Sequence, residues 1–95
     1  MPPVVGVIRW VLQIPDCSSL KQKRAVIRSI RDRMASRYRI SVAETGFQDD
    51  RRRSELCAAV VTSDRGLADS LLERLDRTVS GDPRVYVLER EANVS

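Results

Sequence analysis

Seven residues near the start of the chain, Ser18-Ser19-Leu20-Lys21-Gln22-Lys23-Arg24, hold the side chains best suited to chemistry. They read as a loop feeding a helix. Ser19 is the N-cap, with Gln22 three residues on as its capping-box partner. The first turn of a helix carries unpaired N–H groups and a partial positive charge, so Lys21, Lys23 and Arg24 are mildly unfavourable there. Cations kept in that position can wait for an anion, and phosphate or carboxylate is the chemistry they would serve. Lys23 has two readings. It falls in the middle of the helix's apolar side, where it could cap the edge of the core and pair with Asp16 or Glu44. Alternatively it joins Lys21 and Arg24 around an anion. Ser18, Ser19 and Cys17 are nucleophiles by element type, but the chain has no histidine. A base would have to be Lys23 or a carboxylate, so no catalytic residue is assigned and the protein is expected to be non-enzymatic.

The second candidate is Gln48-Asp49-Asp50-Arg51-Arg52-Arg53. Two acids beside three arginines could hold a metal or a phosphate, or form an ordinary solvated loop with weak local ion pairs. With no histidine and only Cys17 and Cys57, forty residues apart, a transition-metal site is not expected, nor is a cofactor. So few cysteines point to a reduced pair rather than a disulfide.

Charge is unevenly spread. Residues 1–53 hold twelve Lys and Arg against five acids, a balance of +7, while residues 54–95 hold five against eight, a balance of −3. Leu20 to Arg39 alone carries eight cations and one acid, Asp32. Within it Lys21, Arg24, Arg28 and Arg31 form a stripe apart from the apolar side. Such a stripe suits a polyanion such as RNA, or an acidic protein; it is also what a solvated helix face looks like.

The elements that must position these groups follow from periodicity. Val4 to Ile14 reads as a strand with Ile8, Trp10, Leu12 and Ile14 on one face. Its other face carries Val5, Val7 and Val11 with Arg9 and Gln13. A helix follows, with Leu20, Val26, Ile27, Ile30, Met34 and Tyr38 on one side. Arg39 to Thr45 is a short strand, 46–53 a turn, and Glu55 to Thr62 a strand apolar on both faces. Ser63 or Asp64 caps a second helix with Leu67, Leu71, Leu75 and Val79 inward and Asp69, Glu73, Asp76 and Arg77 outward. Gly81-Asp82-Pro83 is a turn, Val85 to Glu89 the last strand, and Ala92 to Ser95 a frayed tail.

The order β-α-β-β-α-β predicts one α+β domain over 1–95. With right-handed crossovers it is a ferredoxin-like plait, a four-stranded antiparallel sheet with both helices on one face. No apolar run is long enough to span a membrane and no leader is evident, so a cytoplasmic protein is expected. Several chemistries of this fold lack their residues here. Base-stacking aromatics are missing from Glu55 to Val61, the first loop has one cysteine rather than a metal-binding pair, and Pro15 to Ser19 has no arginine or glycine.

Val5-Gly6-Val7, Ser19-Leu20-Lys21 with Lys23-Arg24, Ser41 to Glu44, Gln48-Asp49 and Ala59 to Asp64 resemble the YlxP-like family, small bacterial domains of unknown function (DUF503). The resemblance spans nearly the whole chain. It implies the ferredoxin-like fold, a cytoplasmic bacterial protein and a gene often found beside translation-initiation and ribosome-maturation genes. It implies no activity. The family-like positions are Ser19, Leu20, Lys21, Lys23, Arg24 and the loop residues Glu44, Gln48 and Asp49. Where the family commonly reads aspartate-histidine before the glutamine-aspartate pair, this chain has Gly46-Phe47. Phe47 is expected to be a buried plug or an interface contact.

Two functions are therefore expected. In one, an accessory protein binds RNA or a ribosomal particle through Lys21, Lys23, Arg24, Arg28 and Arg31. In the other, a homodimer forms through Val5, Val7 and Val11 on the sheet face that no helix covers.

Overall fold

Ile8, Trp10, Leu12 and Ile14 are at most 1% exposed, so the two-residue period of the first strand is realised as a buried face. The structure, a computed structural model, describes residues 2–95. Its elements in order are β1 (Val4–Gln13), α1 (Leu20–Arg37), β2 (Ser41–Gly46), β3 (Arg53–Thr62), α2 (Arg65–Ser80) and β4 (Tyr86–Val94). All strand pairs are antiparallel, in the order β2-β3-β1-β4. The expected ferredoxin-like plait is the fold found.

One core lies between the sheet and the two helices. Ile27, Ile30 and Met34 of α1 and Ala68, Leu72, Leu75 and Val79 of α2 close over Ile8, Trp10, Leu12, Leu56, Ala58 and Val60. Gly6 faces the core where β3 and α2 meet, and its tightest neighbour is the Val60 side chain of β3. A Cβ there would stand 3.1 Å from Val60 Cγ1 and 3.4 Å from Leu72 Cδ1. No helix of the described residues is long and apolar enough to cross a membrane. Both cysteines are free. Cys17 is buried in the core cluster, and Cys57 lies on the open sheet face opposite Arg9.

Three expectations are corrected. Ala92 to Ser95 is not a frayed tail. Ala92, Asn93 and Val94 pair with Ile8, Val7 and Gly6, and Val5 and Ser95 exchange two backbone hydrogen bonds of 2.9 Å. The long edge of β1 leaves backbone groups to satisfy, and the polar end of the chain supplies them. A register shift between Val11 and Leu12, which skips Leu88 on β4, hid this from the alternation. Asp76 does not simply face water. It accepts a 2.9 Å bond from Trp10 Nε1 and lies 2.9 Å from Arg90 Nε. Val11 belongs to the open face by register but is only 7% exposed. Its cross-strand neighbours Glu55 and Glu89 are drawn together by Arg9, whose guanidinium lies 3.2 Å from one and 3.1 Å from the other.

The turn into β4 is held by charge. Asp82, 3% exposed, accepts bonds from the Arg84 N–H at 2.9 Å, Nε at 3.0 Å and Nη2 at 2.7 Å. The Arg84 side chain holds the Asp82 carboxyl below its ordinary value, against the opposing effect of burial. A depressed carboxyl stabilises the fold above its unfolded pKa and loses that contribution as pH falls through the folded value. Asp82→Asn is expected to cost about 1–3 kcal/mol near neutral pH. In urea titrations at several pH values, its gap from wild type should close on acidification below the usual carboxylate range.

Candidate functional site

Ser19 caps α1 as the sequence indicates, but the Gln22 side chain reaches back to Ser18 rather than to the cap residue itself. Ser19 accepts the Gln22 N–H at 3.1 Å, while Gln22 Oε1 accepts the Ser18 N–H at 2.8 Å and its hydroxyl at 2.9 Å. Helical phase then separates the cations. Lys23 points inward with Ile27, Ile30 and Met34, while Lys21, Arg24 and Arg28 are exposed and Arg31 half-buried.

Lys23 is fully buried, and its ammonium sits among four oxygens. It donates to Glu44 Oε2 and Phe47 O, both at 2.9 Å, and to Gln48 O and Arg53 O, both at 3.3 Å. Buried Ser54 adds a 2.7 Å bond to the same Glu44 oxygen. Among the described residues no buried side-chain nitrogen or oxygen lacks a partner, so the network is complete. Lys23 therefore leaves the anion-binding set. Of the two acids the sequence offered it, Glu44 is the partner.

This network shapes the loop between β2 and β3. Phe47 adopts φ 58°, a left-handed conformation that costs a residue with a Cβ about 1–3 kcal/mol. Its carbonyl is held by Lys23 and by the Asp50 N–H at 3.0 Å. Phe47 is 40% exposed and lies under the Arg53 guanidinium, 4.8 Å from ring centre to Cζ, so it is not a buried plug. Asp50 accepts from the N–H groups of Arg52 and Arg53 and pairs with Arg53 Nε at 3.0 Å. The Arg52 N–H and the Arg53 side chain hold its carboxyl below the ordinary value. Of the family-like loop residues, Glu44 is thus structural, whereas Gln48 and Asp49 are exposed. No three His, Cys, Asp or Glu side chains of the described residues come together as a metal would require.

The outward stripe is different. None of Lys21, Arg24, Arg28 and Arg31 forms an ion pair within 4.0 Å among the described residues, and neither does Asp32. At 1.5 Å of rise per residue the four cations span about 15 Å, about 5 Å apart along the axis.

The open face of the sheet offers a second surface. Val7 and Val61 are 40% and 70% exposed there. Beside Val7, Ser41, Ala43, Cys57 and Ala59 leave a shallow, mostly apolar depression of about 220 Å³. Of the three valines expected on a dimer face, Val5 is half-buried, Val7 is open and Val11 is sealed by its neighbours.

Residues 5–92 match the family described as "Protein of unknown function (DUF503)". The chain is 33% identical over 82 residues to the "Uncharacterized protein YlxP" of Bacillus subtilis (strain 168), covering 86% of this chain and 89% of that one. Among solved structures it is similar to the de novo designed protein Foldit4, with a TM-score of 0.59 and 18% identity over 99% of this chain and 97% of the other. That likeness concerns the fold alone. The family match and the Bacillus relative agree over nearly the whole chain, and the protein belongs to the DUF503 family.

Proposed function

We propose that the protein is a non-enzymatic accessory factor that binds RNA or a ribonucleoprotein along the outward face of α1. The observation that carries this is the unpaired stripe Lys21, Arg24, Arg28 and Arg31. A fold that brings its buried lysine to Glu44 and its turn arginine to Asp82 leaves these four without a carboxylate among the described residues. Three of them are arginines, whose planar fork matches phosphate oxygens. The gene neighbourhood that the family resemblance implies favours RNA over other polyanions. Contact would be made to phosphates, so affinity should fall as salt rises, by about 0.7 in log K per log unit of salt for each single-strand contact. Fluorescence anisotropy of a labelled oligo(U) across a salt series tests this. A steep slope is expected. No binding at low salt, or equal binding to polyglutamate, contradicts the reading.

The open sheet face favours a second reading, a homodimer through Val7 and Val61, which are too exposed to contribute to their own core. Light scattering across a concentration series should then show a dimer that Val61→Arg dissociates. A wild-type monomer throughout removes the idea. Dimerisation there would leave α1 free, on the other side of the sheet.

A further inference from the structure

We infer that the loop between β2 and β3 is a second phosphate-contacting element, with Arg51 and Arg52 extending the α1 stripe and Lys23 as the positioning residue that holds the two together. The inference rests on the RNA-binding reading of α1 and adds a separate group of residues to it. Position comes first. Arg51 Nη1 lies 3.5 Å from Ser18 O, at the residue before the N-cap of α1, and therefore beside the turn that carries Lys21 and Arg24. The loop is pinned there from two sides. The Lys23 ammonium takes the carbonyls of Phe47, Gln48 and Arg53, and the Ile14 N–H donates to Arg52 O at 2.7 Å.

Charge comes second. Asp50 is consumed within the loop by Arg53 and two backbone N–H groups, which neutralises Arg53 and leaves Arg51 and Arg52 with no carboxylate partner among the described residues. Both side chains are exposed. The one opposing charge in the loop is Asp49, also exposed and without an ion pair among the described residues. The α1 stripe is a single line of cations. Adding the loop makes a surface two elements wide, which a strand of phosphates can cross rather than only follow. In this arrangement Lys23 contacts no RNA. It fixes the distance between the groups that do.

The test is anisotropy with labelled oligo(U), comparing wild type with the double variant Arg51→Ala, Arg52→Ala. Loss of two single-strand contacts should reduce the salt slope by about 1.4 and weaken binding about twentyfold at about 0.1 M salt. Asp49→Asn should tighten binding. RNA should also protect Arg51 and Arg52 from phenylglyoxal, read by peptide mass spectrometry, which a mere change in net charge would not explain. Binding within about threefold of wild type, an unchanged slope and no protection overturn the inference. If that result accompanies loss of binding on neutralising the α1 stripe, only the loop's role falls. If wild type itself shows no salt-dependent binding, both readings fall.

Discussion

Replacing Lys23 by methionine is expected to remove about 3–5 kcal/mol of folding stability. For a domain whose total stability is about 5–15 kcal/mol, this is a large fraction. The substitution keeps the apolar stem and deletes the ammonium, so packing should be largely retained. What is lost is the partner of a Glu44 carboxylate that is only 14% exposed, together with a donor to three loop carbonyls. Apolar gain from methionine is small beside an unpaired, nearly buried charge. Urea denaturation would read the loss directly. Lys23→Met combined with Glu44→Leu should recover part of it, since removing both charges avoids the stranded carboxylate. Recovery should be incomplete, because the carbonyls of Gln48 and Arg53 and the hydroxyl of Ser54 still lose their partners. A single variant within about 1 kcal/mol of wild type would mean that the ammonium's contacts contribute no more than one ordinary hydrogen bond.

Neutralising the outward stripe should have the opposite profile. Alanine at Lys21, Arg24, Arg28 and Arg31 together should leave the unfolding midpoint unchanged or slightly raised. Alanine is the best helix former, and cations near the helix start are unfavourable to begin with. RNA affinity should fall several hundredfold at about 0.1 M salt, with a slope shallower by about 2.8. Stability and binding would thus separate two sets of cations in one helix. On the proposed reading, Lys23 serves the fold and its outward neighbours serve the partner. Equal losses of stability in the two variants would contradict that division.

Periodicity made most of the fold legible. Ile8-Trp10-Leu12-Ile14 marked the core face of β1, and the N-cap of each helix and the apolar stripe of α1 appear where the sequence placed them. In α2, by contrast, the buried side is Ala68, Leu72, Leu75 and Val79, and the expected Leu67 is 49% exposed. The C-terminal half of β4 was not legible. The shift past Leu88 breaks the alternation, and both faces of an edge strand next to water carry charged residues. Asp76 was misplaced because helical phase alone does not reveal an indole N–H or a guanidinium on the strands beneath the helix. At the candidate site, Lys23 stood out as a cation on an apolar face. Three of its four acceptors are backbone carbonyls, which leave no mark in residue type. The stripe itself was visible as charge. Its lack of carboxylate partners was not, since that depends on where Asp16, Asp32 and Asp49 come to lie in three dimensions.

The central claim is that RNA meets the outward face of α1, on the helix side of the sheet. Amide chemical shifts, followed by nitrogen–proton correlation NMR as oligo(U) is added at low salt, test it most directly. Perturbations should concentrate at Lys21, Arg24, Arg28 and Arg31 and extend to Arg51 and Arg52. Shifts confined to Val7, Cys57, Ala59 and Val61 on the open sheet face, or no shifts at all, would contradict it.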